Sequence, residues 1–406
     1  MLHVASPRQA RDLLFEKFEH LATGAERVPL ESACGRVLAE ALAATQDIPG
    51  FDRSTVDGYA LRAADTFGCS ESLPAMLAVA GEVLMGKPAE VECRPGQCVA
   101  VPTGGQMPKG ADAAVMVEHT EDYGGGTIGV TKPAAPGQHI IYSRDDVAAG
   151  QQVFAAGKRL TASDIGALAA LGIAQVPVAK PPVVGILSTG DEIIPSSGAP
   201  TIGQVRDVNA PLLHACAAQT GGTPRGYGIC GDDYGLLTQT IGTMAAECDV
   251  VLLSGGSSVG TRDAVQRAVE QLGTLHLHGI AIKPGKPTIF GEVDGKPLIG
   301  LPGHPVAVYF IYTLFVAPLL RRMLGEKGGL PRPGYTAKLA SAIPSNHGRE
   351  EYIAVRLEAG EAGLLAHPIM SKSGLITQLS RAEGYLQIPR DREGYAPGDT
   401  VQVTAL

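Results

Sequence analysis

From Val251 to Asp263 the chain reads VLLSGGSSVGTRD: a short apolar strand, a loop of small residues, then a carboxylate at the head of a helical pattern. Gly255, Gly256 and Ser258 would let backbone N–H groups face an anion, and Asp263 could hold a divalent cation beside it. Glycine-rich loops also serve plain turns, so the company this loop keeps decides its reading. STGDEI (Ser188–Ile193), IKPGKP (Ile282–Pro287) and GLPGHP (Gly300–Pro305) each follow a strand-like run. A lone Asp in a turn usually caps a helix. Asp57, Glu192, Asp232, Asp233 and Asp263 lie in separate polar loops, however, and hard oxygen donors opposite a phosphate nest suit Mg²⁺. Lys283 and Lys286 flank Pro284-Gly285, and two cations closing on a stiff turn suit an oxyanion. Thr103-Gly104-Gly105 offers a hydroxyl and exposed backbone donors, and Pro302 with Pro305 makes a rigid turn before an open helix N-terminus. His304, a lone loop histidine, reads as exposed and idle.

Positioning these residues takes several kinds of element. Ser6-Pro7-Arg8-Gln9 predicts a capped helix over 6–22 with Leu13, Leu14, Phe18 and Leu21 on one face. Short β-like runs (Ala78–Val83, Gln97–Val101, Ala113–Val117, Thr127–Val130) separated by Gly/Pro turns then predict a mostly-β segment, and Thr161–Leu171 a second helix. After Pro181-Pro182 strands and helices alternate: Val183–Leu187, Ala210–Gln219, Gly226–Ile229, Leu236–Glu247, Val250–Leu253 and Asp263–Leu272. That alternation argues for a parallel sheet with helices on both faces, whose carboxyl edge gathers the polar loops. Gly325–Gly334 reads as a linker, and Tyr335–Leu339, Glu351–Leu357 and Thr400–Val403 as a small β domain. The expected fold is multidomain α/β plus β. It has a linking helical part (1–27 and 150–180), an inserted mostly-β domain (28–149), a central parallel α/β domain (181–326) and a C-terminal β domain (332–406).

Composition removes other classes. The 406 residues are 45% hydrophobic, enough for several cores, and the net charge of −8 comes without a basic run, which disfavours nucleic acid and anionic membranes. Seven cysteines without a CxxC pair suggest reduced thiols in a cytosol, with Cys93 and Cys98 as small buried hydrophobes. The N-terminus offers no apolar signal core, and the apolar stretch Val306–Leu320 falls short of the ~20 residues of a membrane span. GxxxxGK[ST] is absent, and His276 with His278 has no third ligand in view, so a P-loop NTPase and a zinc site are disfavoured.

With PGFDRSTVDGYA (Pro49–Ala60) and PTGGQMPKGADAAV (Pro102–Val115) added, the ordered motifs resemble the molybdopterin molybdenumtransferase family, which includes the gephyrin E domain. The resemblance implies a molybdopterin-binding central domain in an elongated homodimer, whose inserted β domain closes the site on the partner subunit. It implies Mg²⁺-dependent insertion of molybdate into adenylylated molybdopterin with release of AMP. Asp57, Glu192 and Asp263 match functional positions, Asp232 or Asp233 another, and Glu192, Asp232 and Asp263 form the implied metal set. Lys283 and Lys286 with Arg349 and Ser373 match the molybdate site, Ser371 being a close alternative to Ser373. Thr103, Asp146, Ser188, Pro302 and Pro305 complete the implied substrate contacts. Transient contact with other cofactor-biosynthesis proteins is a further implication.

The chain also departs from the pattern. His139 and Ile141 stand where Asn and Arg are usual, although Arg144 and Asp146 remain; His304 replaces Asn and Ser257 replaces Val. Ile141 lacks the bidentate fork of arginine. Two meanings stay open: Arg144 compensates, or the chain is a divergent paralogue that inserts tungstate or only binds molybdopterin as a scaffold. An adenylyltransferase of the same α/β fold is the nearest other enzyme, but it would lack both β domains.

Overall fold

The computed structural model describes residues 4–255, 259–327, 333–361, 363–370 and 373–406, with backbone alone for 259–263. The capping box at Ser6 forms. Its hydroxyl accepts the Gln9 N–H while the Gln9 side chain accepts the Ser6 N–H, an arrangement that stabilises a helix start by ~1 kcal/mol. This helix, α1, spans Pro7–Lys17 and is shorter than the expected 6–22. Phe18, 3% exposed, is its C-cap: its N–H still donates to Leu14 O, and its ring continues the buried face of Ala10 and Leu14.

Two compact units divide the chain, one of residues 1–40, 156–161 and 175–406, the other of 41–155 and 162–174. In the second unit a six-stranded sheet runs in the order 113–116, 58–61, 97–101, 75–82, 127–130, 120–124. Alternation along its strands sends Leu61, Cys98 and Val115 into one core and Ala60, Val99 and Val101 into another. Burial pushes the Cys98 thiol up to about 12, so it packs as an inert hydrophobe. All seven cysteines are free thiols.

The first unit holds the alternating region. Its elements are β1 (Val183–Thr189), α2 (Asn209–Thr220), β2 (Thr223–Cys230), α3 (Tyr234–Glu247), β3 (Val250–Gly255) and α4 (Val259–Leu272). Next come β4 (Gly273–His278), β5 (Ile282–Lys283), β6 (Ile289–Val293) and β7 (Lys296–Leu301). The sheet order is β2-β1-β3-β7-β6-β4. Its first three pairings are parallel, as expected, but β7–β6 and β6–β4 are antiparallel, because a tight Asp294-Gly295 turn joins β6 to β7 where a helical crossover would be needed for parallel pairing. Val184, Ile186, Val250 and Leu252 pack on one face with α1 and α2, and Leu187, Val251 and Leu253 on the other with α3 and α4.

A continuous helical run follows: α5 (Pro305–Ile311), a π turn (Tyr312–Val316) and α6 (Ala317–Met323). It forms a 19-residue helix, which corrects the expectation that this stretch is too short to span a membrane; by length and composition it suffices. Phe310, Ile311, Phe315, Val316 and Leu320 are nonetheless at most 1% exposed within the core. Pro318 lacks the N–H that an α-helical ladder needs, and the wider π turn precedes it. Residues 325–327 are not a loose linker: Glu326 pairs with Arg159 at 2.7 Å and the Lys327 N–H reaches Gly157 O; the remainder of the expected linker, 328–332, lies outside the described residues.

The C-terminal strands are β8 (Gly334–Leu339), β9 (Glu350–Gly360), β10 (Gly363–Pro368), β11 (Gly384–Ile388) and β12 (Thr400–Ala405). They run β9-β10-β8-β12-β11, and β11 pairs back on β9, closing the sheet around Leu339, Val355, Leu386 and Val403. Strand β5 adds to its rim.

Candidate functional site

A cavity of about 800 Å³ lies where β5, α5 and β9 meet. Parallel pairing of β5 with β9 sets Lys283 opposite Glu351. Lys283 Nζ lies 2.7 Å from Glu351 Oε1, and Ser345 Oγ donates to Glu351 Oε2 at 2.7 Å. Glu351 is buried while Lys283 is half exposed, so one lysine charge at the rim is balanced from beneath. Lys286 and Arg349 line the same cavity. Gly285 sits at φ +122°, and a Cβ there would lie 2.7 Å from Ile311 Cδ1, so the KPGKP turn is pressed against α5. The opposite wall is Pro302, Gly303 and His304; Pro305 is the first residue of α5. Ser373 Oγ is 2.8 Å from His304 Nδ1, and the Val306 N–H donates to Ser373 O. The start of α5 is therefore less open than expected. Phe310, Tyr352, Ile369 and Leu379 form an apolar floor, where burial first, and then the Glu350 carboxylate, push the Tyr352 phenol well up. A cationic rim above an apolar floor can hold a small anion attached to, or beside, a planar apolar group.

The carboxyl edge of the central sheet gathers a second set. Ser188 and Ser254 are paired in register on β1 and β3; both are 2% exposed, and neither Oγ has a partner among the described residues. Asn209 Oδ1 is likewise unpaired, although its amide donates to Gly303 O at 2.9 Å. Gly255 must be glycine, since a Cβ would lie 2.0 Å from Thr189 O. Asp233 caps α3, its Oδ1 accepting the Leu236 N–H at 3.0 Å. The Asp232 N–H donates to Asp191 Oδ1 at 2.9 Å, so the loops after β1 and β2 touch through Asp191, a residue sequence reasoning passed over for its neighbour Glu192. Glu192 is exposed, with its carboxylate folded over Gly190. Gly256 and Ser258 lie outside the described residues, as do Ser257 and Ser371. Helix α4 is already formed at Val259, which places Asp263 beyond its first turn rather than at its head; its side chain lies outside the described set.

Among the described residues no three His, Cys, Asp or Glu side chains form a metal cage. Asp191, Glu192 and Asp232 are hard oxygen donors on adjoining loops, and Mg²⁺ keeps several waters and takes one or two carboxylates plus substrate phosphates, so the donor set fits that ion.

In the second unit Asp57 Oδ1 accepts the Thr103 N–H at 2.8 Å, which joins the two predicted residues. The Gly104 and Gly105 N–H groups are taken by Ser54 O and Pro102 O. The loop thus offers its hydroxyl but not the free backbone donors expected of it, because the turn itself satisfies one and the neighbouring Ser54 segment the other. Arg144 Nε bonds Asp47 Oδ2 at 2.9 Å; the Ala149 N–H, and then Arg144, hold the Asp47 carboxyl below its ordinary value. Arg144 is committed to this pair, and Ile141 pairs with Arg53 on a two-residue strand. Asp146 is exposed nearby.

Three family models match in order: the MoeA N-terminal region (domain I and II) over residues 5–172, a probable molybdopterin binding domain over 185–322, and the MoeA C-terminal region (domain IV) over 336–406. A molybdopterin molybdenumtransferase of Bacillus subtilis is 33% identical over 387 residues, covering 94% of this chain and 90% of that protein. The chain belongs to the molybdopterin molybdenumtransferase (MoeA) family. A second family member, molybdopterin molybdenumtransferase 2 of Mycobacterium tuberculosis, is 34% identical over 392 residues, covering 93% of this chain and 94% of that protein. The crystal structure of the molybdopterin biosynthesis moeA protein from Pyrococcus horikoshii superposes with a TM-score of 0.86 at 36% identity, covering 99% of this chain and all of that one. Lys283, Lys286, Pro302, Arg349 and Ser373 meet in one cavity of this family fold, whereas Ser188, Glu192, Asp232 and Asp233 belong to the sheet edge. Sequence reasoning missed Glu351, although its place two residues after Arg349 on a strand was a signal. It dismissed His304, whose partner lies 69 residues away.

Proposed function

We propose that the chain inserts molybdate into the dithiolene of adenylylated molybdopterin, with Mg²⁺, releasing AMP and forming molybdenum cofactor. The observation that carries this reading is the convergence of Lys283, Lys286, Arg349 and Ser373 on one cavity. Lys286 and Arg349 hold the oxyanion by charge, and Lys283 does so against the counter-charge of Glu351. The apolar floor accepts the pterin-side chain of atoms and excludes water. At the sheet edge Ser188 and Gly255 receive the nucleotide phosphates, with Gly256 and Ser258 as the family resemblance implies, and Glu192, Asp232 and Asp263 would hold the metal. The Asp233 carboxylate also caps α3. Mg²⁺ there would neutralise the pyrophosphate oxygens. The protein residues orient the linkage and stabilise charge as its P–O bond breaks, the main source of acceleration in phosphoryl chemistry. Asp57 and Thr103 act on the same substrate from a second copy in a cytosolic homodimer, with Asp146 as a further contact. Incubation of the purified protein with adenylylated molybdopterin, molybdate and Mg²⁺ should release AMP in step with molybdate consumed. A folded protein that releases none overturns the reading.

A further inference from the structure

His304 is the one imidazole on the wall of the cavity among its described lining residues, and it does not cap α5 with its side chain. Its Nδ1 lies 2.8 Å from Ser373 Oγ, and the ring is exposed to solvent. The direction of that hydrogen bond depends on the ring. A neutral imidazole with a bare Nδ1 accepts the Ser373 O–H, which commits the hydroxyl hydrogen to the ring. A protonated imidazole always donates from Nδ1 to Ser373 Oγ, as the neutral tautomer with its hydrogen on Nδ1 also does, and the hydroxyl hydrogen is then free to turn toward an anion.

We infer that His304 is a positioning residue that makes oxyanion binding depend on pH, by deciding whether Ser373 can donate into the cavity. The inference rests on the oxyanion reading of this cavity. Among the described residues the other titratable groups lining the cavity are Lys283, Lys286 and Arg349, which favour the anion but oppose a further positive charge, Glu351, which favours that charge, and the phenol of Tyr352. A bound dianion tips the balance: it stabilises the imidazolium, so binding takes up a proton at His304, and affinity falls as pH rises. The carboxamide of an asparagine at this position donates at any pH and would remove the dependence.

The test is calorimetric titration with molybdate alone, in two buffers of different ionisation enthalpy, at micromolar concentrations. Wild type should bind about tenfold more tightly near about pH 6 than near about pH 8 and take up a proton on binding, since histidine changes charge in this interval. His304→Asn should bind with a flat profile and no proton uptake, and Ser373→Ala should bind weakly at the lower pH with a reduced slope. Equal slopes in wild type and His304→Asn overturn the inference, and an unchanged slope in Ser373→Ala overturns the part played by the hydroxyl. Binding that is weakened by Lys286→Gln yet flat with pH in wild type leaves the oxyanion reading standing and overturns this inference alone. No molybdate binding at either pH, by folded wild type, overturns both.

Discussion

Charge balance at Lys283 shows how little of an ion site is read from its cations. The buried Glu351 fixes the lysine head by a 2.7 Å contact and cancels much of its pull on an anion. Lys286 has no described ion pair and should therefore carry more of the binding. A charge-assisted hydrogen bond contributes ~1.5–3 kcal/mol. Lys286→Gln should accordingly raise the half-saturating molybdate concentration roughly tenfold to a hundredfold, with nucleotide affinity almost unchanged. Equal loss of both in calorimetry would assign the lysine to the nucleotide phosphate instead. Glu351→Gln should act in the opposite direction. It keeps an acceptor for Ser345, releases Lys283 from its counter-charge and tightens molybdate binding several-fold, while urea denaturation should register a loss of about 1 kcal/mol for the pair. Weaker binding with intact stability would show that Glu351 aims the lysine rather than restrains it.

At the scale of elements, the KPGKP turn is held by steric contact with α5 as much as by its prolines. Gly285 combines φ +122° with the close approach of Ile311, so any side chain must displace the turn or the helix. Gly285→Ala should cost ~1–3 kcal/mol and lower the thermal midpoint. Because the two lysines ride on that turn, molybdate affinity should fall more than nucleotide affinity. A variant with wild-type stability would mean that α5 yields easily. The pairing of β5 with β9 matters in the same way, since the C-terminal barrel supplies Arg349 and Glu351 and the α/β domain supplies the lysines. The cavity exists only while that rim strand is paired.

For the whole molecule, the proposed homodimer makes a prediction that no single residue does. Asp57 and Asp263 belong to different compact units, and both are expected to serve one reaction from opposite copies. Asp57→Ala and Asp263→Ala should each abolish AMP release while circular dichroism and thermal midpoint stay near wild type; for Asp57, an exposed loop residue, the change should be within ~0.5 kcal/mol. Subunit exchange between the two inactive proteins should restore part of the activity, because one site of the mixed dimer regains both carboxylates. Mixed dimers that form and remain inactive would exclude sites shared between copies.

Local physics made much of this protein legible from its residues. The capping box at Ser6, the alternation of strands and helices from Val183 onward, and the loops after β1 and β7 follow from backbone hydrogen bonding and burial over a few residues. The family was legible from its ordered motifs, and only the resemblance to it, not local physics, joined Arg349 and Ser373 to Lys283 and Lys286. Where α1 ends, where α4 begins, and how the edge of the central sheet reverses direction depended on packing and turns that periodicity does not record. The partners that set the chemistry were decided by the tertiary structure alone. Lys283 meets Glu351 because a two-residue strand adds to a distant barrel, and Ser373 meets His304 across 69 residues of chain, contacts whose register is fixed by the closure of whole sheets and not by any property of the residues that make them.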